Sequence, residues 1–140
     1  VKLNHFVQQL ITVARQVTRF EGQAWDDRSL RREVGHIQAE LDALGAMLKL
    51  SVSQAGESGV PGVGASALKL VYTELYQRIS ELAVRILGRA GLSLDDVGGL
   101  PSAEITGSYL QALSLTIAAG TSQVQRNIIG ERILGLPKDR

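Results

Sequence analysis

Apolar residues recur every three or four positions through three long segments of the sequence. This spacing places them on one side of an α-helix, and such stripes suit helices that pack nearly parallel or antiparallel. No segment shows the polar–apolar alternation that is typical of a β-strand. The pattern therefore predicts an all-α fold. The predicted seams are Leu3, Phe6, Val7, Leu10, Ile11, Ala14 and Val17; Leu30, Val34, Ile37, Leu41, Leu44 and Leu48; and Leu68, Val71, Leu75, Ile79, Leu82 and Ile86.

Helix boundaries follow from residues that cap or interrupt a helix. Asp26 or Asp27 can accept hydrogen bonds from the free amides of the second helix. A run of glycine and proline cannot continue that helix, so we expect a loop, with the third helix beginning at Ser66 and ending at Gly88. The interrupting residues are Gly56, Gly59, Pro61, Gly62 and Gly64. A second loop is expected at residues 92–103.

The last two helices are shorter. The fourth is expected to turn its apolar residues inward, namely Ile105, Tyr109, Ala112, Leu113 and Ile117. Ser122 begins the fifth helix and forms a capping box with Gln125, three residues later. This helix ends at Leu134, where Gly135 suits a left-handed cap. Its apolar face is Val124, Ile128 and Ile129. The expected architecture is an up-down four-helix bundle plus a short C-terminal helix, in one domain over residues 1–140.

Composition excludes several classes of function. The chain has 140 residues, with 15 Lys and Arg against 14 Asp and Glu, and no Cys. The balanced charge argues against nucleic acid as a partner, and the missing thiol excludes disulfides and Cys-ligated metal. No segment reaches the roughly 20 apolar residues of a membrane-spanning helix, so we expect a cytoplasmic protein without a membrane span. Because the sequence opens within a helical seam, we expect it to be a fragment of a longer chain.

Two side-chain clusters are candidates for a functional site. Glu33 and His36 have the Glu-x-x-His spacing of di-metal bundles, and Glu40 lies one turn further along. Because a second copy of the motif is missing, we interpret these residues as a solvated helix face and predict no metal. Three arginines at the start of the second helix fit a solvated turn, with an anion contact as the minor alternative. They are Arg28, Arg31 and Arg32.

Two glycine-containing segments are candidates for a ligand contact. Gly59, Gly62 and Gly64 lack the preceding strand of a nucleotide-binding loop, so we interpret them as a linker. The segment Gly120–Gln123 differs, because small hydrogen-bonding residues stand at a helix start, where free amides can meet an anion or a polar cofactor. An ordinary helix cap explains this segment equally well. From the residues alone, both interpretations remain open.

A longer match then gives this segment a specific meaning. The run from Ala119 to Pro137, AGTSQVQRNIIGERILGLP, resembles the C-terminal signature of the flavin-dependent acyl-CoA dehydrogenases. Residues 64–88 are similar to the helix that precedes the cofactor loop in that family, in the style of actinobacterial members that degrade fatty acids and sterols. The resemblance covers most of the chain. It implies the family's C-terminal helical domain, without the N-terminal helical domain and the middle β-domain.

The resemblance implies a flavoprotein oxidoreductase of fatty acid metabolism. With FAD as cofactor, such an enzyme oxidises acyl-CoA to 2,3-enoyl-CoA, a carboxylate base removing a proton from Cα and the flavin taking a hydride from Cβ. It also implies a homo- or hetero-oligomer, as a dimer or tetramer, and an electron-acceptor flavoprotein as a further partner. The 140 residues alone are expected to be inactive.

The resemblance implies site residues at the positions of this sequence that match the family's motifs. Thr121, Ser122 and Gln123 match family residues at the FAD, and the backbone of Ala119 and Gly120 matches the place where the substrate carbonyl is held. A second contact comes from the family's Gly-Gly-x-Gly loop, which touches the adenosine end of an FAD bound mainly to a neighbouring subunit. Its counterparts in this sequence are Gly88 and Gly91.

Three departures from the family pattern accompany this match. Ala119 stands where many members carry the catalytic glutamate, so no catalytic residue is assigned. In some relatives the base lies near the start of the first helix, which would fall before Val1. The glycine loop reads Gly88-Arg-Ala-Gly91, and the family's Arg-x-x-Phe-Gly stretch is replaced by residues 19–25. Ala119 and the altered glycine loop motivate an alternative, a non-catalytic assembly subunit of a heteromeric dehydrogenase. A free-standing helical interaction module is the third possibility.

Overall fold

The computed structural model describes residues 2–19, 22–58 and 64–138. Over these residues the chain forms five α-helices and, between the first two, a pair of two-residue antiparallel strands. The helices are α1 (Lys2–Gln16), α2 (Arg28–Ser58), α3 (Gly64–Leu87), α4 (Ser102–Leu115) and α5 (Ser122–Arg132), and the strands are β1 (Thr18–Arg19) and β2 (Gly22–Gln23). Helix α3 contacts all four other helices. The predicted all-α bundle with a short C-terminal helix is confirmed.

The core forms where the predicted seams meet around α3. Tyr76 is its largest fully buried side chain; its ring meets Phe6 edge-on with centroids 6.0 Å apart, and its hydroxyl donates to Gln111 Oε1 at 3.2 Å. One residue thus links α1, α3 and α4. The principal buried residues are Leu3, Phe6, Val7 and Leu10 of α1, Leu30, Val34, Ile37 and Leu41 of α2, Leu75, Ile79, Leu82 and Ile86 of α3, and Ile105 and Ala112 of α4.

The junction between α2 and α3 differs from the prediction. Helix α2 continues through Gly56 to Ser58, and α3 begins at Gly64, two residues before Ser66. A glycine inside a helix costs only about 1 kcal/mol, which a long helix tolerates near its end. The linker predicted at Gly59, Pro61 and Gly62 lies outside the described residues.

The far end of the second seam is also exposed. Leu48 is 54% exposed, although its seam partners Leu30 to Leu41 are buried. The first turn of α1 lines the same cleft as Leu41, Leu44 and Leu48, so α2 continues beyond the point where α1 begins. The seam therefore has no α1 surface to cover its last turns.

Helix ends supply further corrections. Asp27 caps α2, its Oδ1 accepting from the amide of Ser29 at 2.7 Å, whereas Asp26 accepts from the amide of Gln23 at 2.8 Å and so supports the strand pair. The strands escaped prediction because two residues are too few to show alternation. Helix α4 ends at Leu115, and Ile117, which was expected to point inward, is 67% exposed in the turn that follows.

Candidate functional site

The chain between α4 and α5 makes a tight turn in an unusual backbone conformation. Ala119 and Gly120 both have positive φ, 54° and 94°. For a residue with a Cβ this conformation costs about 1 kcal/mol or more, and Ala119 is the one non-glycine residue to adopt it in the part of the chain that the structure describes. The turn closes where the amide of Ser122 donates to the carbonyl of Thr116 at 3.2 Å. Such a turn needs support from its surroundings.

Two side chains from different helices supply that support. The Lys69 ammonium, from the second turn of α3, donates to the Gly120 carbonyl at 2.7 Å. The side-chain amide of Gln125, from α5, donates to the Ala119 carbonyl at 3.0 Å. A Cβ at residue 120 would lie 2.8 Å from Gln125 Nε2 and would displace the end of that side chain, while the φ of 94° itself favours glycine. Both carbonyls of the turn are therefore held by long polar side chains.

Helix α5 begins differently from the prediction. Thr121, in extended conformation, is the N-cap, and its Oγ1 accepts from the amide of Val124 at 3.3 Å. The capping box predicted between Ser122 and Gln125 is wrong, because Ser122 is already helical and the Gln125 side chain instead reaches Ala119. Ser122 is buried and Gln123 is exposed.

The other end of α5 agrees better with the sequence. The helix ends at Arg132, two residues before Leu134, and Gly135 has a φ of 66° as predicted for the cap. The amide of Leu136 then donates to the carbonyl of Gly130 at 3.0 Å. Val124, which was expected on the apolar face, is 46% exposed.

The two held carbonyls determine where the neighbouring amides point. In a trans peptide the N–H lies opposite to the C=O, and this chain contains no cis peptide among its described residues. Because the Ala119 and Gly120 carbonyls face Gln125 and Lys69, the amides of Gly120 and Thr121 point away from those side chains. Neither amide has a hydrogen-bond partner among the described residues. The turn thus presents two adjacent donors beside the positive end of α5.

The second predicted contact, Gly88–Gly91, lies in a 3₁₀ turn, Gly88–Leu92, that follows α3. Gly88 has a φ of 58° and no atom within 4 Å of the position of a Cβ, so its backbone is open to a ligand. Gly91 is buried, and a Cβ there would lie 2.9 Å from the Val84 carbonyl oxygen. Thr106 donates to the Gly91 carbonyl at 3.1 Å. Close packing explains why residue 91 is a glycine. A contact between Gly91 and a cofactor stays a prediction.

The six predicted cofactor residues do not meet in one place. The turn at Gly120 lies against the start of α3 through Lys69, whereas Gly88 follows the end of that helix. At the rise of an α-helix these two points are about 28 Å apart along the axis. The single chain therefore carries two separate groups of candidate residues.

An apolar cleft of about 350 Å³ adjoins the turn. Lys69 belongs to both, because it lines the cleft and donates to Gly120. The cleft lies between the start of α1, the second half of α2 and the start of α3. Its apolar lining is Leu3, Leu41, Leu44, Leu48, Leu68 and Tyr72.

The polar clusters on α2 have structural partners or are exposed. Glu33 pairs with Arg85 and Glu40 with Arg78, which ties α2 to α3, and His36 is exposed. Within residues 2–19, 22–58 and 64–138, no three His, Cys, Asp or Glu side chains are grouped as metal ligands. The three arginines predicted as a solvated turn are all exposed, namely Arg28, Arg31 and Arg32.

Two residues of the segment that departs from the family pattern, Arg19 and Trp25, have contacts in the structure. The Arg19 guanidinium donates to the Arg85 carbonyl at 2.5 Å, in the last turn of α3, where an α-helix leaves its carbonyls without partners. The Arg15 guanidinium lies 5.7 Å from the centre of the Trp25 ring. Through Arg19, the chain that follows α1 therefore contacts the end of α3.

Sequence patterns did not reveal Lys69 as part of the site. Its contact with Gly120 joins residues 51 positions apart, which no local pattern encodes. One available signal was a single charge within the apolar run from Ala67 to Tyr72.

No described helix combines the length and hydropathy needed to cross a bilayer.

Known proteins have similar sequences. Residues 2–134 match the family model described as acyl-CoA dehydrogenase, C-terminal domain. The acyl-CoA dehydrogenase IpdE1 of Mycobacterium tuberculosis is 29% identical over 133 residues, which cover 95% of this chain and 32% of that protein. The acyl-CoA dehydrogenase FadE26 of the same organism is 35% identical over 124 residues, which cover 86% of this chain and 30% of that protein.

The fold is shared as well. In the crystal structure of the ChsE4–ChsE5 complex from M. tuberculosis, a chain 28% identical to this one superposes with a TM-score of 0.79, covering 98% of this chain and 36% of that chain. The chain spans about a third of the length of these relatives.

Proposed function

This chain belongs to the acyl-CoA dehydrogenase family, as its C-terminal domain, and on that premise we propose that it completes an FAD and acyl-CoA pocket in a longer, oligomeric enzyme. The reaction is the oxidation of acyl-CoA to 2,3-enoyl-CoA. The observation that carries the proposal is the turn at Ala119 and Gly120, in which Gln125 and Lys69 hold both carbonyls and the amides of Gly120 and Thr121 have no partner among the described residues.

The residues present fit the polar part of a flavin cofactor. The Gly120 and Thr121 amides and the positive end of α5 suit anionic oxygen atoms, and the exposed Gln123 adds a side-chain amide. At the other end of α3, Gly88 leaves its backbone open to a close approach. When bound, FAD supplies the hydride acceptor. The chain's own contribution is to bind the flavin and to orient it.

The turn also suits the substrate carbonyl. Removing a Cα proton places negative charge on the thioester oxygen, and amide donors fixed before the reaction stabilise that charge. The Ala119 methyl group cannot accept the proton. The base would therefore come from outside this turn.

The separation of the two candidate groups supports an oligomer. Because the Gly120 turn and Gly88 lie about 28 Å apart along α3, we assign them to two cofactor molecules, one held mainly by this subunit and one by its neighbour. The similar chain of the ChsE4–ChsE5 complex belongs to an assembly of two kinds of chain. An electron-acceptor flavoprotein and a cytoplasmic location remain part of the proposal.

The test is expression of the full reading frame that contains this sequence. We expect bound-flavin absorbance and the formation of enoyl-CoA from fatty-acyl-CoA or from CoA thioesters of sterol side chains. The matched variants are Gly120→Ala, in which a residue with a Cβ must adopt a φ of 94°, and Gly107→Ala, in which no atom lies within 4 Å of the new Cβ. A wild-type protein that is folded, flavin-free and inert would refute the proposal.

A second function, that of a non-catalytic assembly subunit, is favoured by Ala119 and by the altered glycine loop, Gly88-Arg-Ala-Gly91. In this case the chain lends its helices to a partner that carries the base and the flavin. Co-expression with a flavin-competent homologue separates the two functions. Activity that appears only in the mixed complex supports the assembly role, and activity of the single chain excludes it.

A further inference from the structure

Lys69 is a charged residue in an apolar part of α3. It is half-buried, it stands between Leu68 and Leu70 in the sequence, and it lines the apolar cleft. Taking an ammonium group out of water is unfavourable unless a protein partner replaces the lost hydration. Across the described residues, no carboxylate lies within salt-bridge distance of Lys69. The partner that the structure gives is the Gly120 carbonyl, at 2.7 Å.

This hydrogen bond controls one particular peptide. The carbonyl of Gly120 and the amide of Thr121 belong to the same planar unit, so fixing the oxygen fixes the direction of the N–H. Gln125 holds only the preceding peptide, through Ala119. Without Lys69, the Gly120–Thr121 peptide is free to rotate, since glycine tolerates many backbone conformations.

The bond also leaves a positive charge without a counter-ion next to the start of α5. A cation on the carbonyl oxygen polarises the peptide and strengthens its N–H as a donor. The N-terminal end of α5 adds its own partial positive charge. The amide of Thr121 and the helix end both favour an anionic oxygen on the side of the peptide opposite to Lys69, and the ammonium group acts on that oxygen through the polarised peptide.

We propose that Lys69 is a positioning residue, which holds the Gly120–Thr121 peptide so that its amide binds an anionic oxygen of the flavin cofactor or of the substrate thioester. The inference rests on the proposed function, because that function supplies the ligand. It adds a residue from α3 to a site that the sequence places at the start of α5.

The experiment uses the full-length protein with Lys69→Met, which keeps the apolar stem and removes the ammonium group. Lys49→Met is the matched control, because Lys49 is exposed on α2. Three quantities are measured: the FAD dissociation constant by titration of apoprotein, kcat and KM with an acyl-CoA, and hydrogen exchange of the peptide spanning residues 116–125 in apoprotein.

We expect Lys69→Met to accelerate exchange in residues 116–125 and to weaken either FAD affinity or kcat about tenfold, the scale of one charge-assisted hydrogen bond. Weaker FAD affinity identifies the cofactor as the source of the anionic oxygen, and a lower kcat with unchanged FAD affinity identifies the thioester. Lys69→Arg, which retains a cationic donor, is expected to restore part of the loss. Lys49→Met is expected to match the wild type.

Unchanged exchange, FAD affinity and kcat in Lys69→Met would overturn the inference and leave the proposed function standing. If the wild type itself binds no FAD, the proposed function fails, and the exchange of residues 116–125 alone decides whether Lys69 holds the turn. If Lys69→Met does not fold, Lys69→Gln replaces it under the same criteria, since glutamine is polar but too short to reach Gly120.

Discussion

The two glycine-containing turns at opposite ends of α3 are held in different ways. The turn at Gly120 depends on two long side chains, Lys69 and Gln125, that reach its carbonyls from outside. The turn at Gly91 depends on close backbone packing, because a Cβ there would meet the carbonyl of Val84. Changes in the first turn should therefore affect ligand binding more than stability, and changes in the second should affect stability first.

The largest expected effect on stability comes from truncating core residues, because the core holds α3, the helix that both turns adjoin. Leu75 lies in the middle of α3 and is 1% exposed, so Leu75→Ala should lower the free energy of unfolding by about 2 to 5 kcal/mol. Leu41→Ala on α2 should fall in the same range. Urea unfolding followed by circular dichroism measures the change, with Leu94→Ala at an exposed position as the control. Stability close to the wild type in both core variants would contradict the placement of the core.

The next effect concerns the packed turn. Gly91→Ala forces a methyl group against the Val84 carbonyl and should lower the free energy of unfolding by about 1 to 3 kcal/mol. Gly107→Ala is the control, since it replaces an exposed helical glycine and should be neutral or slightly stabilising. If both variants unfold alike, close packing does not hold this turn.

Gly120→Ala tests the other turn. Its φ of 94° and its nearness to Gln125 should together lower stability by about 1 to 2 kcal/mol, less than the loss of a core leucine. We expect flavin binding to fall much further than stability does, which absorbance of the purified full-length protein would show. A loss of stability without a loss of flavin would reverse the contrast between the turns.

The smallest effect is expected at the helix cap. Thr121→Ala removes the hydroxyl that accepts from Val124 and should lower the free energy of unfolding by about 1 kcal/mol. Thr12→Ala on α1 is a suitable control, because its hydroxyl only returns to the Gln8 carbonyl within the same helix. Equal unfolding midpoints for these two variants would argue against Thr121 as the cap.

The sequence predicts what depends on local spacing. The seams at Leu30 to Leu41 and Leu75 to Ile86 were predictable because a helix repeats every 3.6 residues and a buried face must be apolar. The choice of Thr121 over Ser122 as the cap was not, since both side chains can cap and the backbone conformation decides between them. The end of α2 at Ser58 was missed because a glycine such as Gly56 disfavours a helix only weakly, and α4 ends at Leu115, two residues before Ile117, the last apolar residue assigned to it.

The site was predictable only in part. The resemblance drew attention to Gly120, Thr121 and their neighbours, and in the structure these residues form one turn whose amides at Gly120 and Thr121 have no partner among the described residues. It could not indicate that Lys69 holds that turn, because the contact spans 51 positions. Nor could it separate Gly88, which is open, from Gly91, which is packed, since both are the same residue type in one short loop.

The left-handed backbone at Ala119 has a consequence for how such proteins diverge. The strain there arises from the Cβ, which alanine and glutamate have in common, and the side chain is exposed, so a longer one finds room. Exchanging the two residues therefore needs no rearrangement of the main chain. A carboxylate can be gained or lost at this position while the conformation of the turn stays the same.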